Sequence, residues 1–192
     1  MTLNYKISFS TPFFEIEEAI ISNDLNDHPY YRMTGCDSVI CCVMTLDGKF
    51  VMIEQFRPNI EEYSLEFPAG GIKVNENPIS AAKREFSEET SMMSDFISLG
   101  DFKLMMNRTN IKEHIFFGIN PKKDIAQNFE GGIEVKLIDR NKLIDLSING
   151  QYKQLAGLGV IQLVSLSLGI DILREPISNI VDKYNKRKNN ES

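Results

Sequence analysis

The chain has 192 residues, of which 42% are hydrophobic and 25% are charged. This length and composition exclude a disordered, collagen-like or disulfide-scaffold protein, and they predict one compact domain with at most an appended arm. The formal net charge of −6 argues against a nucleic-acid or anionic-membrane partner, because an acidic protein repels either polyanion. A small anionic ligand held through a metal ion remains compatible with this charge.

The cysteines and the apolar segments indicate a cytoplasmic protein. Cys36, Cys41 and Cys42 are an odd set without paired spacing, so we expect free thiols, which persist in a reducing compartment. Residues 1–14 contain no long apolar run of the kind that a signal peptide requires. Residues 155–173 come near to membrane-spanning length, but polar residues interrupt them, and we interpret the segment as a buried helix followed by a turn.

The pattern predicts two units, a short N-terminal β arm over residues 1–34 and a main domain with C-terminal helices over residues 35–192. Within the arm, the apolar residues at 13–16 indicate a strand, and residues 23–29 have the composition of a turn.

The main domain begins with a predicted hairpin. Residues 38–45 and 50–56 are apolar runs separated by Asp47-Gly48, a pair that supplies the positive φ angles of a tight two-residue turn. A short strand is predicted next, over residues 65–67, ending at a proline.

A helix is predicted over residues 78–90. It begins at Asn77, because asparagine is a favourable N-cap and Pro78 has no N–H that would be left unpaired in the first turn.

The rest of the chain alternates strands and helices. Strands are predicted over 96–104, 113–119 and 133–138. Helices are predicted over 140–146, over 152–168 and from residue 175, and the polar tail 183–192 is expected to fray. Strands far apart in sequence, mixed with helices, predict an α/β fold with a mixed sheet covered on both faces.

Three carboxylates share one face of the helix over 78–90. At 100° per residue, Glu85, Glu88 and Glu89 lie at relative angles of about 0°, 300° and 40°. Like charges one turn apart destabilise a helix, and a hard divalent cation such as Mg²⁺ would remove that repulsion. On this helix alone, the residues favour a solvated acidic face over a metal site.

The sequence around this helix resembles the signature of the Nudix hydrolases, G-x5-E-x7-R-E-U-x-E-E-x-G-U, where U is a bulky apolar residue. The matching residues are Gly70, Glu76, Arg84, Glu85, Phe86, Glu88, Glu89 and Met92. Ser91 stands where the family has glycine. A left-handed conformation costs a residue other than glycine about 1–2 kcal/mol, so we expect this departure to affect local stability more than catalysis.

The resemblance implies a Nudix α/β/α sandwich with a mixed sheet, and it implies roles for the matched residues. Those that match metal ligands, for Mg²⁺ or Mn²⁺, are Glu85, Glu88, Glu89 and the carbonyl of Ala69. Glu76 and Arg84 match a pair that ties the loop to the helix and orients the ligands.

Segments outside the signature resemble the ADP-ribose and nucleotide-sugar pyrophosphatase branch of the family. These are IEQFRP at 53–58 and LEFPAGG at 65–71. The branch hydrolyses a pyrophosphate to a nucleoside monophosphate and a sugar phosphate, and it forms homodimers through an N-terminal β arm. By this resemblance Arg57, Glu66 and Arg108 are substrate-binding candidates. From the residues alone, each is equally an ordinary surface or loop residue.

The general base is assigned by resemblance to Glu130, in a loop before a late strand, with Glu134 and Glu113 as reserves. Two other functions stay open. One is hydrolysis of another nucleoside diphosphate derivative, such as a dinucleoside polyphosphate or coenzyme A. The other is a non-catalytic module that binds a nucleotide.

Overall fold

The computed structural model describes residues 3–20, 29–124 and 131–190. The strands are Lys6–Ser10 (β1), Phe14–Ile20 (β2), Pro29–Gly35 (β3), Ser38–Met44 (β4), Lys49–Arg57 (β5), Glu62–Glu66 (β6), Ala69–Gly71 (β7), Met92–Met93 (β8), Phe96–Phe102 (β9), Glu113–Ile119 (β10), Lys122–Lys123 (β11) and Ile133–Asp139 (β12). The helices are Pro78–Thr90 (α1), Arg140–Ile148 (α2), Leu155–Leu168 (α3) and Ile177–Asn190 (α4).

The N-terminal strands β1, β2 and β3 form a separate antiparallel sheet in that order. The strand predicted near residues 13–16 is present as β2, and β1 and β3 pair along its two edges. Most of the turn predicted over 23–29 lies outside the described residues. The division of the chain at residues 34 and 35 stays a prediction.

The main sheet has the strand order β12-β5-β4-β10-β9. β10 is parallel to β4, with Ile115 opposite Ile40, and β10 is antiparallel to β9. The predicted mixed sheet is therefore confirmed.

β4 and β5 separate from each other partway along their length, and the segment that follows β5 enters the gap. The two strands pair directly at Val43↔Val51 and Met44↔Phe50. Beyond that point β6 pairs with β5, and β7 pairs with β4. Residues 66–71 are thus held between the two strands, next to the helix α1 that comes soon after them.

Helices cover the main sheet on both faces, which confirms the α/β/α sandwich. The α1 face buries Val39, Cys41, Val43, Val51, Ala81, Ala82, Phe86, Phe96 and Phe116. The opposite face buries Ile40, Cys42, Met44, Phe50 and Phe117 against side chains of α3 and α4. Adjacent residues of a strand point to opposite faces, and Cys41 and Cys42 accordingly enter different cores as buried free thiols.

Two local predictions differ from the structure. In the β4–β5 turn, Gly48 has a φ of 82° and Asp47 does not have a positive φ, so one left-handed residue closes the loop instead of two. The Gly48 N–H donates to the Thr45 carbonyl at 3.0 Å. A type I turn followed by a left-handed glycine connects strands as readily as the predicted two-residue turn.

The expectation of a frayed tail is wrong as far as residue 190, because α4 continues to Asn190. Arg187 donates to the Ser167 carbonyl at 3.2 Å, and Lys188 pairs with Asp95 at 2.7 Å. Basic side chains near a helix C-terminus also interact favourably with the helix dipole. Among the described helices, none is both long and apolar enough to cross a bilayer.

Candidate active site

The helix α1 carries the predicted carboxylates and has the predicted boundaries. The Asn77 side chain caps it by accepting from the Ser80 N–H at 2.9 Å, with Pro78 at the first helical position. At the other end Ser91 adopts φ 54° and ψ 34°, and its N–H donates to the Ser87 carbonyl at 2.8 Å. Ser91 therefore takes the left-handed conformation that the signature assigns to glycine.

Arg84 ties the loop before α1 to the helix. Its Nε and Nη2 donate to the two carboxylate oxygens of Glu76, at 2.9 and 2.8 Å, and Nη2 also donates to the Gly71 carbonyl at 2.9 Å. The Lys73 N–H donates to the same carboxylate at 2.9 Å. Hydrogen bonds from Arg84 and then from the Lys73 backbone lower the pKa of Glu76 to about 2. Glu76 is therefore an anion across the whole physiological pH range.

The three glutamates of the acidic face lie around Arg84 and β7. Arg84 Nη1 donates to Glu85 Oε1 at 2.6 Å and to Glu88 Oε2 at 3.0 Å. The Glu89 carboxylate, which is buried, accepts the Ala69 N–H at 3.0 Å. These bonds fix α1 against the segment between β4 and β5.

Gly70 leaves the space that the Glu85 carboxyl group occupies. A Cβ atom built on Gly70 would lie 2.2 Å from Glu85 Cδ and 2.4 Å from each of its oxygens. Contacts that short do not occur between real atoms, so any larger residue at position 70 displaces the carboxylate. Position 70 therefore requires glycine for a steric reason.

The chemistry of this cluster fits a hard divalent cation. Burial, as the main cause, raises the pKa of Glu85, whereas the neighbouring Arg84 opposes that rise. A cation would stabilise such a desolvated carboxylate, and the three glutamates offer the oxygen ligands that Mg²⁺ and Mn²⁺ prefer.

The carboxylates do not converge on one point. Across residues 3–20, 29–124 and 131–190, no group of three or more His, Cys, Asp or Glu side chains is arranged to hold an ion. Arg84 draws Glu85 and Glu88 toward itself, and the Ala69 N–H holds Glu89. Joint coordination of an ion therefore requires the carboxylates of Glu85 and Glu88 to turn from Arg84 toward Glu89.

Arg57 and Glu66, two separate candidates from the sequence, form one ion pair. Arg57 Nε and Nη2 donate to the two Glu66 oxygens at 2.8 and 2.5 Å, and Glu66 is buried. The hydrogen bond to Glu66 raises the pKa of Arg57, with a smaller contribution from the charge of Glu89. The pair therefore lies within electrostatic range of the acidic cluster.

The other candidates lie elsewhere or outside the described residues. Arg108 occupies an exposed turn, where its carbonyl accepts the Met33 N–H of β3 at 2.7 Å. The structure thus brings Arg108 to the N-terminal sheet. Glu130 falls in residues 125–130, which are not described. Of its reserves, Glu134 pairs with Lys136 on the sheet edge, and Glu113 begins β10 beside Ser38.

A contact between Ser87 and Asp124 was not among the sequence predictions. Ser87 Oγ donates to Asp124 Oδ2 at 2.6 Å, and the Asp124 N–H donates to the Ser91 carbonyl at 2.8 Å. These bonds hold the segment after β11 against the end of α1. The two residues are far apart in sequence and belong to no shared periodicity, so no local signal predicts their contact.

Comparison with known proteins agrees with this architecture. The NUDIX domain family matches residues 36–156. The chain belongs to this family. In a solved structure titled "Crystal structure of ADP compounds hydrolase", the fold is the same, with a TM-score of 0.75 at 20% identity, over 88% of this chain and 94% of that one.

Curated relatives match over shorter regions. An ADP-ribose pyrophosphatase of Bacillus subtilis (strain 168) is 28% identical over 115 residues, which are 56% of this chain and 62% of the relative. An ADP-sugar pyrophosphatase of Mus musculus is 52% identical over 40 residues, 21% of this chain and 18% of the relative. A methanol dehydrogenase activator of Bacillus methanolicus is 41% identical over 59 residues, 31% of each chain. The chain therefore spans less than two thirds of the length of each of these relatives.

Proposed function

We propose that this chain is a pyrophosphohydrolase that cleaves ADP-ribose or a related nucleoside diphosphate sugar into a nucleoside monophosphate and a sugar phosphate. The observation that carries the proposal is the packing of the acidic face of α1 on β7, with the Glu85 carboxyl group in the space left by Gly70 and Glu89 bonded to Ala69. The names of the Bacillus subtilis and mouse relatives favour this substrate class.

Glu85, Glu88, Glu89 and the Ala69 carbonyl would hold Mg²⁺ or Mn²⁺. Such an ion, when bound, neutralises charge on the pyrophosphate oxygens and lowers the pKa of a bound water. Arg84 pairs with Glu85 and Glu88 on the acidic face of α1 and is itself held by Glu76. Glu76 and Arg84 therefore act together as positioning residues.

Arg57 would donate hydrogen bonds to a substrate phosphate oxygen. The two bonds to Glu66 fix its guanidinium group, so the remaining N–H groups point in a defined direction. Arg108 would contact the group beyond the pyrophosphate. In the reaction, a water oxygen forms a bond to one phosphorus, the bond from that phosphorus to the bridging oxygen breaks, and a carboxylate accepts the water proton. Glu130 is the proposed acceptor.

We further propose that the protein is cytoplasmic and forms a homodimer. Its ligand is a small nucleotide and not a nucleic acid. The free cysteines and the net charge of −6 support the compartment and the choice of ligand. The N-terminal sheet exposes large apolar side chains, and a second copy of the chain would cover them. Those more than half exposed on β1 and the following turn are Ile7, Phe9 and Phe13.

The test is hydrolysis of a panel containing ADP-ribose, ADP-, GDP- and UDP-sugars, a diadenosine polyphosphate and coenzyme A, with Mg²⁺ and with EDTA. We expect metal-dependent turnover of a nucleotide sugar and a loss of more than about 100-fold in Glu89→Gln. Glu175→Gln, a half-buried glutamate outside α1 whose carboxylate accepts from Asn179, is the matched control and should retain activity.

Other results would redirect the proposal. Turnover of the dinucleotide or of coenzyme A alone would retain the enzyme class and change the substrate. Nucleotide binding without turnover of any compound, in folded and metal-loaded protein, would indicate a non-catalytic module.

A further inference from the structure

A cleft of about 700 Å³ lies between α1, α4 and the small sheet of β8 and β11. Its lining includes Lys83 of α1, Lys122 of β11 and Tyr184 of α4. The hydrogen bond from Ser87 to Asp124 closes its α1 side. This volume falls in the range of about 300–1,000 Å³ that small-molecule sites occupy.

The cleft is separate from the proposed active site. It includes Leu46 and Ile119, at the ends of β4 and β10, whereas Ala69 pairs with Ile40 near the start of β4. From Ile40 to Met44 alone is about 13 Å of extended strand. Glu85, Glu88 and Glu89 do not line the cleft, although Arg84 does.

Positive charge exceeds negative charge in the cleft. The charged residues of the lining are Lys83, Arg84, Lys122, Lys188, Asp95 and Asp124. Lys188 pairs with Asp95 at 2.7 Å, and Arg84 is bonded to glutamates of the acidic cluster. Within the described part of the chain, Lys83 and Lys122 form no ion pair. The hydrogen bond from Lys188 is the main cause that lowers the pKa of Asp95, and the charges of Lys83 and Lys122 lower it further, so both lysines lie within electrostatic range of that carboxylate.

The remaining lining is apolar and amide-bearing. Leu46 and Met93 of the lining are 54% and 51% exposed, and Tyr184 is buried. Asn120 and Asn185 contribute exposed amide groups. A ligand with an anionic group at one end and a flat apolar group at the other would suit this surface. Its anionic group would contact the lysines, and its apolar group would contact the apolar side chains.

We propose that this cleft is a second ligand site, which binds a small phosphate monoester carrying an apolar or aromatic group, of the size of a nucleoside monophosphate. The phosphate lies against Lys83 and Lys122, and the apolar group lies against Leu46, Met93 and Tyr184. The site does not include the glutamates of the acidic cluster and does not use a metal ion.

The experiment titrates the isotope-labelled full chain with AMP in EDTA and follows the backbone amide shifts by NMR. We expect the largest shifts at cleft residues such as Lys83, Asn120 and Asn185. The titration is repeated in Glu89→Gln, where we expect the same binding, so the result does not depend on hydrolytic activity.

Matched lysine variants identify the phosphate contact. The double variant Lys83→Gln/Lys122→Gln should raise the Kd for AMP about tenfold, because two charge-assisted contacts are lost. Lys142→Gln, an exposed lysine of α2, should leave the Kd unchanged. Adenosine, which lacks the phosphate, should bind at least about tenfold more weakly than AMP.

Three results would overturn the proposal. One is a set of shifts confined to the surroundings of Gly70 and Arg57. Another is an unchanged Kd in the double lysine variant, whose exposed substitutions should leave the Tm unaltered. The third is equal affinity for adenosine and AMP.

Discussion

Ser91 ends α1 in a conformation that favours glycine. An L-residue other than glycine pays about 1–2 kcal/mol for it. Neighbouring bonds hold the residue there, since the Ser91 N–H donates to the Ser87 carbonyl and the Met92 N–H donates to Thr90 Oγ1 at 3.1 Å. The strain is local and lies beyond the carboxylates, because Glu89 is fixed separately by Ala69.

Replacing Ser91 by glycine should stabilise the protein. We expect Ser91→Gly to raise the free energy of unfolding by about 1 kcal/mol, measured by urea denaturation, with little change in kcat. Ser80→Gly, inside the first turn of the same helix, should have the opposite effect because glycine disfavours helical backbone. Destabilisation by Ser91→Gly would show that the hydroxyl group contributes more than the backbone strain costs.

Glu113 should make stability depend on pH. Burial, as the first cause, raises its pKa, and a hydrogen bond from Ser38 partly offsets that rise. The pKa of Glu113 is higher in the folded chain than in the unfolded chain, so the folded chain favours the protonated carboxyl group. The contribution of Glu113 to the free energy of unfolding is therefore full below the unfolded pKa. It is lost as the pH rises through the folded pKa.

The variant Glu113→Gln is uncharged at every pH and should separate this effect from packing. We expect a higher Tm than the unsubstituted protein at about pH 8, and a difference that shrinks toward about pH 4. Calorimetric scans across this interval measure it. A Tm difference that is the same at all pH values would attribute the effect to packing or to hydrogen bonding.

At the scale of elements, the gap between β4 and β5 builds the candidate site. The Cys41 N–H donates to the Pro68 carbonyl at 2.8 Å, which fixes the segment leading into β7. Helix α1 then reaches this segment from one side through Glu85 and Glu89. Strand separation therefore provides both the backbone and the space that the carboxylates use.

The variant Gly70→Ala tests this arrangement. The new Cβ atom must displace the Glu85 carboxyl group, the mobile end of a long side chain, so we expect a small change in Tm and a loss of Mn²⁺ binding. Activity should fall by about 100-fold, since a displacement of about 1 Å in a catalytic site has effects of that size.

Gly159→Ala is the matched control, because nothing lies within 4 Å of a Cβ atom at that helical position. It should retain metal binding and activity. Electron paramagnetic resonance measures Mn²⁺ binding, and circular dichroism measures the fold. Undiminished Mn²⁺ affinity in Gly70→Ala would remove Glu85 from the proposed ligand set.

At the scale of the whole molecule, the N-terminal sheet contacts the main domain through the exposed turn that carries Arg108. Tyr30 Oη donates to the Asn107 carbonyl at 2.8 Å, and Met33 and Thr109 form a parallel bridge. The sheet therefore fixes this turn, while Ile7, Phe9 and Phe13 of β1 and the following turn stay exposed.

A charged residue on the exposed apolar surface of the N-terminal sheet should disrupt the proposed dimer. We expect the unsubstituted protein to sediment at twice its chain mass of 21.9 kDa and Phe9→Lys, on the exposed strand β1, to sediment as a monomer. Leu166→Lys places the same charge on an exposed leucine of α3 and should remain dimeric. A monomeric unsubstituted protein, or dissociation by both variants, would contradict the proposed interface.

Elements with local signals can be predicted from the sequence. The boundaries of α1, its cap at Asn77 and its acidic face follow from residues close together in the chain, whereas the left-handed Ser91 follows from the resemblance of the chain to the family signature. The alternation of strands and helices also determined the α/β class. Short-range periodicity, capping and conformational preference carry this information.

Which side chains meet depends on the tertiary structure. It paired Arg57 with Glu66, and it set Arg84 against the carboxylates that were expected to converge on a metal. It also brought Arg108 to the N-terminal sheet and extended α4 through a tail expected to fray. The last two outcomes depend on contacts between segments far apart in sequence, whose free energy comes from packing and charge pairing in three dimensions, and no local pattern of residues encodes them. The ion pairs of Arg57 and Arg84 join residues close together in the chain, but the sequence does not show which of several nearby carboxylates each arginine takes.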